Sequence, residues 1–568
     1  MINIRKFNYM ICFFISYSIY ITSFSYASPQ NNSISSLDSF ISKLMNAFET
    51  KNTKKLMSLV AENIKCYDGT TYNILQMKMN NVFNQVQSIN ATLSETKLLD
   101  SNRHQVLINL ELRQDKNNFF SQDIYFIITL RSDGQKITNI FDKSEYEEIS
   151  EKKFFDEYIM PKEDAQLTSF QRLYGFMRLW SEVKYNFAFF DKVPELNWDM
   201  ILYEYLARVE QEQTTEEYYR LLQKCIALLH DGHTNVWAPQ FGIDKPPIRI
   251  YPIQGKAIIV EIGKSKEIEQ YNIESGLEIT HIEGKSIHSL LEKEIYPYIS
   301  ASTDQARDIH AFDLLLEGPK DTKCPITVKD LEGNVRNIIL TRCSSKEQMP
   351  WLNRPILEYR NLSDDIAYIA INSFASANVV NEFDKIFEKI LHVKGLILDL
   401  RNNPGGSSGN AYLILGRLTD KVLEGLHWKT RQYMPAFRAW GRKEKWFMGE
   451  SHKVNPTGDN PFLGPIVALT GPATGSAAED FLVALHANGR AILVGEKTAG
   501  TTGQPISFRL PGDGEGRVCT TWSTYPDGKE FIGVGIIPDK EIALTQKDIA
   551  NRYDSVLEKG IEVLKEQF

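Results

Sequence analysis

The sequence predicts an α/β core over residues 355–545, preceded by three smaller units. Three observations predict it. Residues 395–400, 466–470 and 491–494 are short, continuous apolar runs, as expected of parallel strands buried on both faces. Helical patterns alternate with them. At 402–409 and 471–475 a strand runs into a glycine-containing turn and then a helix, an arrangement that brings backbone N–H groups to one edge of a sheet.

The bulk properties agree with a multi-unit globular chain. Of its 568 residues, 42% are hydrophobic and 24% charged, and at about 100–200 residues per domain three or four units are expected. The formal net charge is -8, and no basic stripe with interleaved aromatics is evident, so a nucleic-acid partner is not expected. Residues 1–27 have the make-up of a signal peptide. Arg5 and Lys6 precede an apolar stretch at 10–21, and Ser25-Tyr26-Ala27 offers a cleavage site. A membrane anchor is the alternative, but the stretch is short of the roughly 20 residues a span needs. The mature protein is therefore expected to be exported, periplasmic or extracellular, without stable membrane insertion. Removal of the segment moves the net charge from -8 to -10. Five cysteines remain: Cys66, Cys225, Cys324, Cys343 and Cys519. They are odd in number and unpatterned, which excludes a disulfide framework. Cys324 and Cys343 flank two predicted strands and could pair across them; buried free thiols are the alternative.

The elements follow in order. A polar linker at 28–36 leads to an α+β accessory unit (37–150). Phe40, Leu44 and Phe48 recur at helical spacing there, before strand-like runs at 105–112, 122–130 and 136–141. The order of elements resembles SnoaL-like domains. Residues 166–240 are helical. Thr214 and Glu217 form a capping box, and Tyr218, Leu221, Leu222, Cys225, Leu228 and Leu229 fall on one stripe that stops at Asp231-Gly232. Short strands return over 246–342. There, Ser275-Gly276-Leu277-Glu278-Ile279 followed by Ile282-Glu283-Gly284-Lys285 resembles the core of a PDZ domain, which would take an extended peptide; a ligand-free structural module is the alternative. A C-terminal helix is expected over 546–568.

Three segments could carry chemistry. Ser476 stands between the strand at 466–470 and a following helix. Partial positive charge and free N–H groups there favour a developing oxyanion; the competing explanation is that serine simply caps the helix. Asp399-Leu-Arg-Asn-Asn-Pro-Gly-Gly406 ends in glycines whose N–H groups could complete an oxyanion hole. The run lacks the Lys-Ser/Thr ending of a phosphate loop. Leu229-His-Asp-Gly-His-Thr234 supplies a histidine base in His233. His230 and His233 could instead share a metal, but no HExxH pattern or third ligand is present.

Together and in this order, these segments and Gly533-Val-Gly-Ile-Ile-Pro-Asp539 resemble the tail-specific, or C-terminal processing, serine peptidases over roughly residues 166–545. The resemblance implies a crotonase-like core and acyl transfer to Ser476, with an oxyanion hole from the N–H groups of Gly406 and Ala477, a polypeptide substrate, and no metal or cofactor. In one branch of the family a lysine is the base; here Thr501 occupies its place, and Lys497 lies outside the catalytic position. In the tricorn-like branch a histidine is the base, matched by His233, and a carboxylate follows near the end of the core, for which Glu530 is the candidate. That branch carries a serine where this chain has Gly232. The missing lysine also keeps open a non-catalytic peptide- or ligand-binding protein of the same fold. An acyl-CoA enzyme of the related fold fits poorly with export.

Overall fold

The computed structural model describes residues 31–66, 72–100, 103–115, 118–131, 134–142, 166–212, 214–239, 243–343, 349–449 and 451–568. The signal-like segment at 1–27 lies outside the described residues. The chain divides into an N-terminal unit and a larger second unit.

In the N-terminal unit, helices Asn31–Glu49, Thr53–Leu59 and Tyr72–Gln85 accompany a five-stranded sheet. Its order is Val60–Cys66, Gly134–Asp142, Asn118–Arg131, Arg103–Asp115, Ser88–Asp100; the first pair is parallel and the others antiparallel. Phe40, Leu44 and Phe48 share one helix face because they are four residues apart. They are buried in the same cluster as Phe126, Ile128 and Ile137.

The second unit opens with helices Ser169–Asn186, Trp198–Gln211 and Thr215–Ala227. Side chains satisfy the free N–H groups at each start: capping boxes at Thr168/Gln171 and at the predicted Thr214/Glu217, and an Asn197 cap. The antiparallel sheet that follows has the order Val335–Thr341, Lys323–Lys329, Glu278–Ile282, Lys256–Ile262, Ile248–Ile253. Cys324 is a buried free thiol, so a disulfide to Cys343 is not formed.

The core sheet runs Leu357–Ser363, Ile366–Ile371, Gly395–Asp399, Ile466–Thr470, Ile492–Gly495, Lys540–Glu541. Its first pair is antiparallel and the rest are parallel. Every residue of Ile366–Ile371, Gly395–Asp399 and Ile466–Thr470 is buried, which explains why apolar residues run continuously along these strands up to the polar Asp399 and Thr470 at their ends, rather than alternating. The C-terminal region is two helices, Gln546–Ala550 and Ser555–Lys565, and not the single helix expected. Arg552, at a positive φ of 52°, breaks the run, and Asp554 recaps the chain by accepting from the Leu557 N–H. Val556, Leu557, Val563 and Leu564 then join the cluster of Ile397, Val467, Leu469 and Val494.

An ion network centred on the buried Asp399 ties this last helix to the sheet. Arg401 donates to Asp399 (Nη2–Oδ2 2.6 Å) and, with both Nη atoms, to Asp554 (2.8 and 2.7 Å); the Tyr368 hydroxyl donates to Asp399 at 2.8 Å. Burial pushes the Asp554 carboxyl up, but the Arg401 guanidinium outweighs it and holds the group below its ordinary value. The network sits where the strand Gly395–Asp399 enters the glycine-rich turn. Arg401→Met leaves Asp399 buried without its cation, so denaturant unfolding should show a loss of about 3–5 kcal/mol; a loss below about 1 kcal/mol would mean the network is not needed for stability.

Candidate active site

The strand Ile466–Thr470 delivers the chain to a turn, and Ser476 precedes the helix Ala477–Ala487. Ser476 has φ 55° and ψ -127°, and its side chain makes no capping bond. The helix-cap explanation for this serine therefore fails. A non-glycine residue in this conformation costs about 1–3 kcal/mol and persists only where its surroundings enforce it. Here the Ser476 N–H donates to the carbonyl of Thr501 at 2.7 Å. The hydroxyl is left to meet His233, whose Nε2 lies 2.9 Å from Ser476 Oγ.

His233 is 5% exposed and sits in a stapled turn. Thr234 Oγ1 donates to Asp231 Oδ2 at 2.6 Å, the Gly232 N–H donates to Ser302 Oγ at 2.9 Å, and the Ser300 hydroxyl donates to the Asp231 carbonyl at 2.8 Å. The other ring nitrogen, Nδ1, is 2.7 Å from Thr501 Oγ1. A neutral imidazole with its proton on Nδ1 donates to Thr501 and turns the Nε2 lone pair toward the Ser476 hydroxyl. Burial pushes the imidazole down to about 3, and the nearby Arg517 guanidinium acts in the same direction.

Thr501 thus touches both Ser476 and His233, a role that its position in the sequence does not signal. It is itself held by Glu479, one helical turn from Ser476. The buried Glu479 carboxylate accepts from the Thr501 N–H (2.8 Å), the Gly500 N–H (2.8 Å) and the Thr498 hydroxyl. Next to it, Asp480 accepts from Ser408 Oγ and Thr502 Oγ1, both at 2.6 Å, joining the glycine-rich turn to the Thr501 segment. Burial pushes Glu479 up to about 8 and Asp480 up to about 6.

Gly405 and Gly406 have φ of 104° and 133°. A Cβ on Gly405 would lie 2.5 Å from Ser476 Cβ and 2.9 Å from the Ala477 nitrogen, so only glycine lets the turn approach the serine this closely. The Gly405 N–H donates to Asn403 Oδ1. Among the described residues, the N–H groups of Gly406 and Ala477 have no acceptor.

Glu530 is not brought to His233. Its carboxylate accepts from Trp522 Nε1 at 2.9 and 3.1 Å and pairs with Lys192 at 3.2 Å. Lys497 is exposed. The place of a carboxylate on the imidazole is taken by the Thr501 hydroxyl. Gly232 explains how: a Cβ there would lie 2.8 Å from Thr501 Oγ1, so a side chain at 232 and the Thr501 hydroxyl compete for one space.

Residues 365–542 match the family model described as Peptidase family S41. The core is similar to the S41 serine peptidases. The chain is 28% identical to the "Carboxyl-terminal-processing protease" of Picosynechococcus sp. over 61% of this chain and 77% of that protein. It is 24% identical to the carboxy-terminal processing protease CtpB of Bacillus subtilis over 66% and 71%. Among solved structures, mature CPAF complexed with lactacystin superposes with a TM-score of 0.57 at 16% identity, covering 70% of this chain and 98% of that one, a likeness of fold. Beside the serine of this S41-like core, then, stands a histidine from outside the matched residues, and Thr501 occupies the place where one branch is expected to carry lysine.

Two predictions follow from this geometry. Gly232→Ser should displace the Thr501 hydroxyl and lower kcat/KM by about tenfold or more, and Thr501→Val should do likewise; combined, their costs should fall short of additivity by about 1 kcal/mol or more. Strict additivity in the double-mutant cycle would separate the two positions. Because the imidazole stays neutral until far into the acid range, kcat/KM should hold to about pH 5, where an imidazole with the ordinary value of about 6.5 would be almost wholly protonated. An acid limb near 6.5 that persists in Asp480→Asn would contradict the buried, neutral His233.

Proposed function

We propose that this chain is an exported serine endopeptidase that hydrolyses peptide bonds of proteins or peptides through an acyl-serine intermediate, with Ser476 as nucleophile and His233 as base. The observation that carries the reading is the 2.9 Å approach of His233 Nε2 to a Ser476 hydroxyl that caps no helix. Ser476 Oγ bonds to the substrate carbonyl carbon while its proton passes to Nε2. The carbonyl oxygen becomes an oxyanion, received by the N–H groups of Gly406 and Ala477. Collapse breaks the C–N bond, and the imidazolium gives its proton to the departing amine. Water then transfers a proton to Nε2 as its oxygen attacks the acyl carbon, and Ser476 leaves with that proton.

Relatives named as carboxyl-terminal-processing proteases support a substrate taken by its C-terminus, and the β-module at 246–342 is the candidate unit to receive it. Export rests on the signal-like composition of residues 1–27; among the described residues no helix is long and apolar enough to cross a membrane.

Hydrolysis of an unfolded protein by the chain from residue 28 onward tests the reading. Ser476→Ala and His233→Ala should each lower kcat by about a thousandfold or more, whereas Lys497→Ala should leave it unchanged. Activity that survives His233→Ala and disappears with Lys497→Ala would assign the base to lysine.

A further inference from the structure

The chain is acidic as a whole, but residues 427–449 are not. They hold six Lys or Arg against one acid, Glu444, and six aromatic side chains. This corrects the expectation that no basic stripe interleaves with aromatics; the net charge of -8 conceals it. The segment is an excursion of the core, with strands His427–Gln432 and Lys445–Met448 joined through the short helix Pro435–Ala439.

The cations of the excursion differ between its base and its tip. At the base, Lys429 lies over Trp522 (3.9 Å to the ring centroid) and Trp446 (4.8 Å), and Arg431 pairs with Glu444 at 2.9 Å and donates to the Phe187 carbonyl. At the tip, Arg438, Arg442, Lys443 and Lys445 are exposed; Arg442 lies over Trp440 (5.0 Å to the ring centroid) and Lys445 over Phe437 (5.4 Å), but none has an ion pair among the described residues. Beside them Trp440 is 61% and Met448 67% exposed. Arginine, aromatic and methionine side chains on one exposed patch are the composition of a protein-recognition surface.

The attachment of this tip points to its occupant. The strand His427–Gln432 pairs with Thr521–Thr524. That segment and the strand Gly514–Cys519 just before it are bonded to the two loops of the candidate site: the Gln504 N–H donates to Thr521 Oγ1 at 2.9 Å, three residues from Thr501, and the Cys519 N–H donates to Thr234 Oγ1 at 3.1 Å, next to His233. We infer that the tip of this excursion is a recognition site for acidic segments of the polypeptide substrate, engaging carboxylates through Arg438, Arg442, Lys443 and Lys445. The inference rests on the peptidase reading for its occupant. Four exposed cations, each worth little alone and weakened by salt, act mainly on capture and not on the chemical step.

The test uses the mature chain and two versions of one unfolded polypeptide, one with a glutamate-rich stretch and its twin with glutamine there. The wild type should favour the glutamate version by about tenfold, through KM with kcat equal. The preference should vanish in about 0.5 M salt and in a variant carrying Arg438→Ser, Arg442→Ser, Lys443→Ser and Lys445→Ser, while hydrolysis of the glutamine twin and the thermal midpoint stay unchanged. Equal KM values in the wild type, or a preference that survives the four substitutions, would overturn the proposal. If neither polypeptide is cut, the peptidase reading fails separately, and fluorescence anisotropy of the two labelled polypeptides on Ser476→Ala decides the tip alone: tip-dependent preference supports it and equal binding overturns it. Tip-dependent binding to phosphatidylserine vesicles or to RNA without discrimination between the twins would also overturn it.

Discussion

The reactive arrangement depends on Thr501. Its carbonyl accepts the Ser476 N–H and its hydroxyl meets His233 Nδ1, so one residue touches both partners of a pair that is 243 positions apart in sequence. The first contact accompanies the positive φ of Ser476 and turns the hydroxyl away from the helix it would otherwise cap. The second sets the face that the imidazole presents. Its own backbone is held by Glu479, which closes the loop of dependence: the helix that follows Ser476 positions the residue that positions Ser476.

The surrounding burial has a consistent chemical consequence. An imidazole packed at 5% exposure, beside a hydroxyl instead of a carboxylate, is kept neutral. It is therefore in the proton-accepting form, and in the proposed mechanism the imidazolium would lack the full countercharge of an aspartate or glutamate. Glu479 and Asp480 do not replace that charge; their oxygens are occupied by hydroxyl and N–H donors of the Thr498–Thr502 segment and by Ser408. They act as ties between loops. Arg401 performs the equivalent task on the other side of the glycine-rich turn, binding its start to the capped C-terminal helix.

Much of this was legible in the sequence where it depends on local pattern. Continuous apolar runs identified buried strands, the Thr214–Glu217 spacing identified a helix start, and a serine after a strand and turn, with a glycine-rich turn and a histidine elsewhere, identified the candidate site. Contacts between distant segments were not legible. Thr501 belongs to no pattern that marks a histidine partner; only Gly232, whose missing side chain leaves room for the hydroxyl, hints at it. The neighbourhood of Glu530 in the chain suggests it as a partner of His233, but the indole N–H of Trp522 and the ammonium of Lys192 hold its carboxylate elsewhere. The basic excursion at 427–449 was hidden for the opposite reason: its charge is local, and a whole-chain sum averages it away.

The most direct measurement is a crystal structure of the chain from residue 28 onward after reaction with a peptidyl phosphonate. The account predicts phosphorus bonded to Ser476 Oγ, one phosphoryl oxygen about 2.7–3.1 Å from the N–H groups of Gly406 and Ala477, and His233 still held at Nδ1 by the Thr501 hydroxyl. An adduct on another residue, or Ser476 modified with His233 turned away and Lys497 at the site, would contradict it.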